Sequence, residues 1–301
     1  MRLSPALLAV GLLITALGLG APRAQPATQP LPGSPERILS LAPHITETLF
    51  ALGVGERLVG RTDFCLWPAE AQSIPSIGGF LNSDWERIYA LHPDLVVRLE
   101  EAHDLYAPLA ALDCPQVTVR SDTIRDVREG IRAMAISVGV PERGEELIDR
   151  MDQQLDRVAR QLMGSERLRT LILIGREPGT LQGLFAADPG SFVSELVSRA
   201  GAVNALSDTL GAFPEISREI ILGANPEVII DTCLETQGAD AEAIARELAI
   251  YRRELSDVDA VANDRVILWT DPHLTIPGPS MAEQVEALAR AIHPERFTEA
   301  D

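Results

Sequence analysis

Two glutamates, Glu86 and Glu219, hold matching places in a segment that the chain contains twice. The first copy runs Trp85-Glu86-Arg87-Ile88-Tyr89-Ala90-Leu91-His92-Pro93-Asp94-Leu95-Val96-Val97. The second runs Arg218-Glu219-Ile220-Ile221-Leu222-Gly223-Ala224-Asn225-Pro226-Glu227-Val228-Ile229-Ile230. In each, the glutamate opens a helical stretch and a proline stops it seven residues later. An acidic residue and an aliphatic run follow, the pattern of a buried parallel strand. A carboxylate at a helix start answers the helix dipole, a gain of about 0.3–1 kcal/mol. Two such carboxylates at equivalent lobe tips can also pair with arginines on a two-fold symmetric membrane partner, where they set docking register and association rate.

A second set of residues suits a ligand. Phe64, Trp67, Phe80 and Phe213 fall in loops rather than on periodic core faces, although aromatics make up only 4% of the chain. Flat rings in loops near strand ends give a large, partly apolar ligand contact area at low entropy cost; otherwise they plug the loops onto the core. Ligands of open α/β sheets sit beyond the carboxyl ends of the strands. Those ends here include Pro43 and His44, the stretch 62–65 before Trp67, Arg176 to Thr180, and 270–273 with His273. Arg176 can hold a carboxylate or phosphate bidentately, or pair with Glu177 or Glu100. His44 and Glu47, three apart at a helix start, form either a metal pair or, the blander reading, a first-turn glutamate facing the helix dipole. His103 and His273 lack a second ligand at fixed spacing, and no metal site is assigned.

Enzyme signatures are missing from the sequence. There is no Gly-x-Ser-x-Gly elbow, and a lysine-bearing phosphate loop is impossible because every basic residue is arginine. Gly53-Val54-Gly55 follows a helix instead of a strand, so it marks a helix end and turn. No catalytic residue and no cofactor is assigned. The net charge of −18 argues against nucleic acid or anionic lipid as the main partner.

The elements that must position these residues alternate. Strands are predicted at 37–41, 57–61, 95–97 and 116–119, with helices at 44–52, 105–112 and 124–138 between or after them. A second series has strands at 168–174, 228–231 and 265–269 and helices at 190–199, 217–222, 241–248 and 280–292. Between the series, 141–163 is long, charged and free of glycine from 145 onward, with apolar residues at helical spacing. It predicts a stiff connecting helix. The fold class is therefore α/β: two doubly wound, Rossmann-like lobes joined by one long rigid helix, with a ligand cleft between them. The domain boundaries are a signal peptide at 1–24, a tether at 25–36, an N-terminal lobe at 37–140, the connector at 141–164 and a C-terminal lobe at 165–301. The signal peptide rests on Arg2, an apolar run at 7–19 too short to span a bilayer comfortably, and small residues after it. It implies export. Cys65, Cys114 and Cys233 are an odd number without a Cys-x-x-Cys, and are taken as small thiols.

Arg37-Ile38-Leu39-Ser40-Leu41-Ala42-Pro43 with Thr46-Glu47, Val59-Gly60, the Trp67-Pro68 loop and Pro93-Asp94-Leu95-Val96 resemble the periplasmic binding proteins of iron–siderophore and cobalamin ABC importers. The resemblance runs from about Arg37 to the C-terminus. It implies two α/β lobes bridged by one rigid helix, a shallow cleft and small opening motions. Within the family the pattern is most similar to cobalamin binders. Phe64, Phe80 and Phe213 stand where those carry cleft aromatics, Thr180 stands where they carry a phenylalanine, and Glu86 and Glu219 match the two transporter-docking glutamates. The resemblance implies a periplasmic monomer that delivers a corrinoid, or a ferric siderophore or haem, to a dimeric permease with ATPase subunits. Ligand contacts are then expected from Pro43, His44, Phe64, Trp67, Phe80, Arg176, Thr180 and Phe213. The rival from another class is an exported enzyme with a metal at His44 and Glu47.

Overall fold

A computed structural model describes residues 33–79, 82–100, 106–177, 179–206, 213–232 and 240–297. The expected signal peptide, Phe80, His103 and Cys233 lie outside the described residues. Among the described residues, no helix is long and apolar enough to cross a membrane.

The first sheet has the order β2-β1-β3-β4, all parallel, formed by β1 (Ile38–Ser40), β2 (Leu58–Arg61), β3 (Leu95–Leu99) and β4 (Gln116–Val119). Helices α1 (Pro43–Ala51), α2 (Trp85–Ala90) and α3 (Ile124–Ser137) belong to this lobe. The predicted helix at 105–112 is a 3-10 turn over Ala107–Ala111 instead, with Pro108 in its first turn. In the second lobe β10 (Val266–Leu268), β9 (Val228–Asp231) and β5 (Leu168–Gly175) lie parallel side by side. This sheet is mixed, which periodicity did not predict. β6 (Leu184–Ala186) runs antiparallel to β5, β8 (Glu215–Ile216) runs antiparallel to β6, and β7 (Ala202–Asn204) pairs parallel with the start of β5. Three-residue strands are too short to show a period. The helices of this lobe are α5 (Phe192–Arg199), α6 (Arg218–Ala224), α7 (Ala241–Glu254), α8 (Asp259–Ala262) and α9 (Met281–Ile292).

The repeated segment has a physical basis in both lobes. Asp94 accepts hydrogen bonds from the backbone N–H groups of Glu36 and Arg37, each at 2.9 Å, which ties the start of β3 to the start of β1. Glu227 does the same for the start of β5, accepting from the Arg169 N–H at 2.9 Å. The two arginines then turn to the helix ends. Arg37 Nη2 donates to the Leu91 carbonyl at 2.6 Å, and Arg169 Nη2 donates to the Ala224 carbonyl. His92 and Asn225 take left-handed φ values of +43° and +39° at those ends, letting the chain leave each helix and enter the strand. Thus the acidic residue after each proline is a clamp between neighbouring strands.

The two lobes are joined by α4 (Pro141–Gln161). Pro141 occupies its first turn, where a missing N–H costs nothing. Leu147, Ile148, Met151, Leu155 and Val158 form its buried stripe. α4 packs against α3 on one side and α9 on the other, and a single apolar cluster runs from Ile45 and Ile131 through Met151 and Leu155 to Leu196 and Leu288. Polar contacts pin the exposed flanks: Arg132 pairs with Glu145 at 2.7 Å, Arg128 pairs with Asp152, and Gln154 donates to Glu286 of α9 at 3.0 Å. Because the core passes through α4, truncation of Leu155 to alanine should cost about 2–5 kcal/mol. A urea titration followed by circular dichroism should show that loss in one transition shared by both lobes; a variant that melts in two separated steps would contradict a common core.

Candidate functional site

Three of the four loop aromatics fall within the described residues, and all three are open to water. Phe64 is 63% exposed, Trp67 50% and Phe213 48%. Side chains of this size left in water are available for contact with another molecule. Phe64 and Trp67 follow the carboxyl end of β2, and Phe213 precedes β8. Trp67 reaches across to the second lobe, where its ring meets His273 edge-on at 5.1 Å between centroids and 77° between planes. His273 is held in turn by Asp271, whose Oδ1 lies 2.6 Å from the His273 Nδ1 and 2.9 Å from its backbone N–H. Burial works against the Asp271 charge, but these bonds and one from Gln284 hold its carboxyl below the usual range. Pro43 and Thr180 are half-buried. The Thr180 hydroxyl donates to the Glu177 carbonyl at 3.1 Å and so shapes its own turn.

Two expected ligand contacts are corrected by their burial. The Arg176 side chain has no exposed surface, and its guanidinium is used from within: Nε donates to Asp231 at 2.8 Å, Nη2 to Glu247 at 2.5 Å and Nη1 to the Thr180 carbonyl at 3.0 Å. Burial opposes this charge, yet Asp231 beside it keeps the arginine firmly protonated. Tyr251 completes the cluster by donating to Asp231 at 2.7 Å, and burial first, then Asp231, pushes its hydroxyl well above the ordinary range. The acids that hold Arg176 are therefore Asp231 and Glu247, rather than Glu177 or Glu100, and no edge of the fork is left for a ligand carboxylate. His44 is also buried, at 6% exposure, with Nε2 lacking a partner. It lies at the seam between the lobes, where its Cβ would stand 3.3 Å from a Cβ built on Gly278.

Glu47 differs from both sequence readings. It is buried, and its Oε1 accepts the backbone N–H of Ser280 at 2.7 Å. Ser280 is the cap residue of α9, so this carboxylate serves the start of a helix in the opposite lobe and not its own dipole. Among the described residues no group of three histidine, cysteine or acidic side chains is placed to hold a metal.

A groove of about 830 Å³ lies along the flank of α4, walled by Phe50, Trp67, Arg150, Met151, Gln154 and Ser280. Neither Phe64, Thr180 nor Phe213 borders it. Trp67 is thus shared between the groove and the loop that carries Phe64.

Glu86 and Glu219 are both exposed in the first turns of α2 and α6. The helices are equivalent: α2 leads into β3, which pairs with the first strand of its lobe, and α6 leads into β9, which pairs with the first strand of the other. Asp84 caps α2 by accepting the Arg87 N–H at 3.0 Å. The Ser217 hydroxyl and the Glu219 N–H hold the Glu219 carboxyl below the usual range, so it is charged at neutral pH.

Against known proteins, the family described as periplasmic binding protein matches residues 38–272. The chain belongs to that family. A vitamin B12-binding protein of Pectobacterium carotovorum subsp. carotovorum is 28% identical over 259 residues, which covers 85% of this chain and 90% of that protein. The periplasmic heme-binding protein RhuT of Roseiflexus sp. RS-1 superposes with a TM-score of 0.74 at 28% identity, over 88% of this chain and all of that one. The periplasmic vitamin B12-binding protein BtuF of Vibrio cholerae superposes equally well, with a TM-score of 0.74 at 24% identity, over 88% of this chain and 99% of that one, a likeness of fold. This periplasmic binding protein is a solute-binding protein and not an enzyme, and its two α/β lobes are those of the family.

Sequence reasoning missed Glu195, half-buried on α5, which accepts the Ile124 N–H of the first lobe at 2.8 Å. A signal was present. Thr46-Glu47 and Ser194-Glu195 each stand six or seven residues before a glycine, Gly53 and Gly201, and both glycines take positive φ values of +73° and +83° at the helix end.

The buried seam makes the binding protein acid-sensitive in a defined window. Burial lowers the His44 pKa from 6.5 to about 4. The unfolded chain then binds a proton near pH 6.5 that the folded chain refuses until about pH 4, so stability falls as pH drops through this window, by about 3 kcal/mol at its lower end. Glu47 acts with the opposite sign, since burial raises its pKa and acid relieves it. Replacement of His44 by glutamine should flatten the fall in unfolding free energy between pH 6.5 and 4, measured by urea titration at each pH; an unchanged slope would place the acid sensitivity elsewhere.

Proposed function

We propose that this periplasmic binding protein is exported through a cleaved signal peptide and delivers a corrinoid to a dimeric ABC permease with its ATPase subunits. The observation that carries the reading is the pair Glu86 and Glu219, exposed at equivalent first turns in the two lobes. A two-fold permease presents the same basic patch twice, and two matched carboxylates meet it with one register. The exposed rings of Phe64 and Phe213 favour a large ligand with apolar faces, with Trp67, Pro43 and Thr180 adding contact, and Phe80 belongs to the same proposed set. The likeness to a vitamin B12-binding protein over most of both chains supports the corrinoid.

A second reading keeps the class and changes the cargo to haem. His273 favours it: its imidazole lies at the lobe seam beside Trp67, and its Nδ1 is fixed by Asp271, which leaves Nε2 as the ring nitrogen suited to an iron. The two cargoes separate in one experiment. Isothermal titration of the mature protein with cyanocobalamin and with hemin should give tight binding of cobalamin, weakened about 10- to 100-fold by Phe64→Ala or Phe213→Ala through the lost ring burial. Hemin binding with a Soret shift abolished by His273→Ala, and no cobalamin heat, would install the haem reading in its place. For docking, joint reversal of Glu86 and Glu219 to arginine should abolish uptake in cells while leaving ligand affinity within about two-fold, as expected of rim charges. Loss of ligand binding in that variant would assign the two carboxylates to the cleft.

A further inference from the structure

The two lobes hold each other by a reciprocal pair of contacts. Glu47, on the first helix of the N-terminal lobe, accepts the N–H of Ser280 at the start of α9 in the C-terminal lobe, at 2.7 Å. Glu195, on the first helix of the C-terminal lobe, accepts the N–H of Ile124 at the start of α3 in the N-terminal lobe, at 2.8 Å. The donors are equivalent as well as the acceptors. α3 follows the last strand of its sheet, β4, and α9 follows the last strand of the other, β10. Both acceptors follow a hydroxyl residue, Thr46 or Ser194, that is buried and hydrogen-bonded within its own lobe: Thr46 Oγ1 to Ser40 at 2.7 Å and Ser194 Oγ from Asn204 at 2.6 Å. Each glutamate is therefore anchored by its neighbour and aimed outward across the seam.

α4 supplies the axis about which these contacts can act together. It packs on α3 and on α9, the two helices whose N-termini are being held. A rotation of one lobe against the other about α4 must break both contacts, since each crosses the seam. We propose that Glu47 and Glu195 are positioning residues that form a two-point clasp, fixing the spacing of the lobes and hence the width of the cleft. Neither side chain is assigned a contact with ligand. The clasp holds whatever cargo the cleft takes, so its failure is independent of the corrinoid assignment.

The distinguishing property is coupling across the molecule. Hydrogen exchange of the full mature protein, read at single amides by nuclear magnetic resonance, should show Ser280 and Ile124 opening together in one lobe motion. In Glu47→Ala the Ser280 amide loses its acceptor directly; the Ile124 amide, whose acceptor is intact, should also exchange about 10-fold faster, while amides inside β3 and β9 keep their rates. In Glu195→Ala the relation reverses, and Ser280 is the remote reporter. If each substitution speeds only the amide it contacts, the two glutamates are independent helix caps and the clasp is wrong. Should Glu47→Ala fail to fold, Glu195→Ala alone decides: a faster Ser280 amide supports the clasp and an unchanged one overturns it.

Discussion

The structure depends on one helix having to satisfy two lobes with one face. α4 buries Leu147, Ile148, Met151, Leu155 and Val158, and these residues belong to a single apolar cluster that reaches both sheets. A flexible linker would leave two cores, each free to rotate. A helix whose apolar stripe is shared cannot turn without uncovering area in one lobe or the other, and each large side chain exposed costs about 1.5–3 kcal/mol. The lobes are therefore held near one relative position before any ligand arrives. What remains adjustable is the seam itself, where Trp67 meets His273 and where Glu47 meets Ser280.

Charge is distributed by depth. At the surface, Glu86 and Glu219 stand exposed at the starts of short helices. Inside the C-terminal lobe, at the carboxyl ends of β5 and β9, Arg176, Asp231, Glu247 and Tyr251 form a closed group in which each charge is answered. A buried pair of this kind gives weak evidence of net stability, but removing one partner leaves the other uncompensated. The group fixes the turn that carries Thr180 through the Arg176 bond to its carbonyl. A residue expected to touch the ligand thus acts one step further back, as support for a loop.

Much of this was legible from order along the chain, because the deciding interactions were local or repeated. The helix–proline–acid–strand unit announced the duplication, and the clamp made by Asp94 and Glu227 explains why the acid is part of it. The connector was visible because a helix with a buried stripe has a period. Arg176 and His44 were misplaced because their surroundings come from far away: the partners of Arg176 are 55 and 71 residues distant, and the wall against His44 is Gly278. The short antiparallel strands β6 and β8 carry no period to detect. Glu195 escaped because the similarity of α1 and α5 is confined to a hydroxyl, a glutamate and a terminal glycine, with an inserted hairpin altering the spacing before them.

The reciprocity between Glu47 and Glu195 is the pattern of a two-fold axis. When two identical molecules associate about a two-fold axis, any contact from one site to a second is matched by the same contact in reverse. This polypeptide shows that relation between its own halves. The same kind of bond therefore crosses the seam twice in opposite senses, as it would between the two subunits of a symmetric dimer.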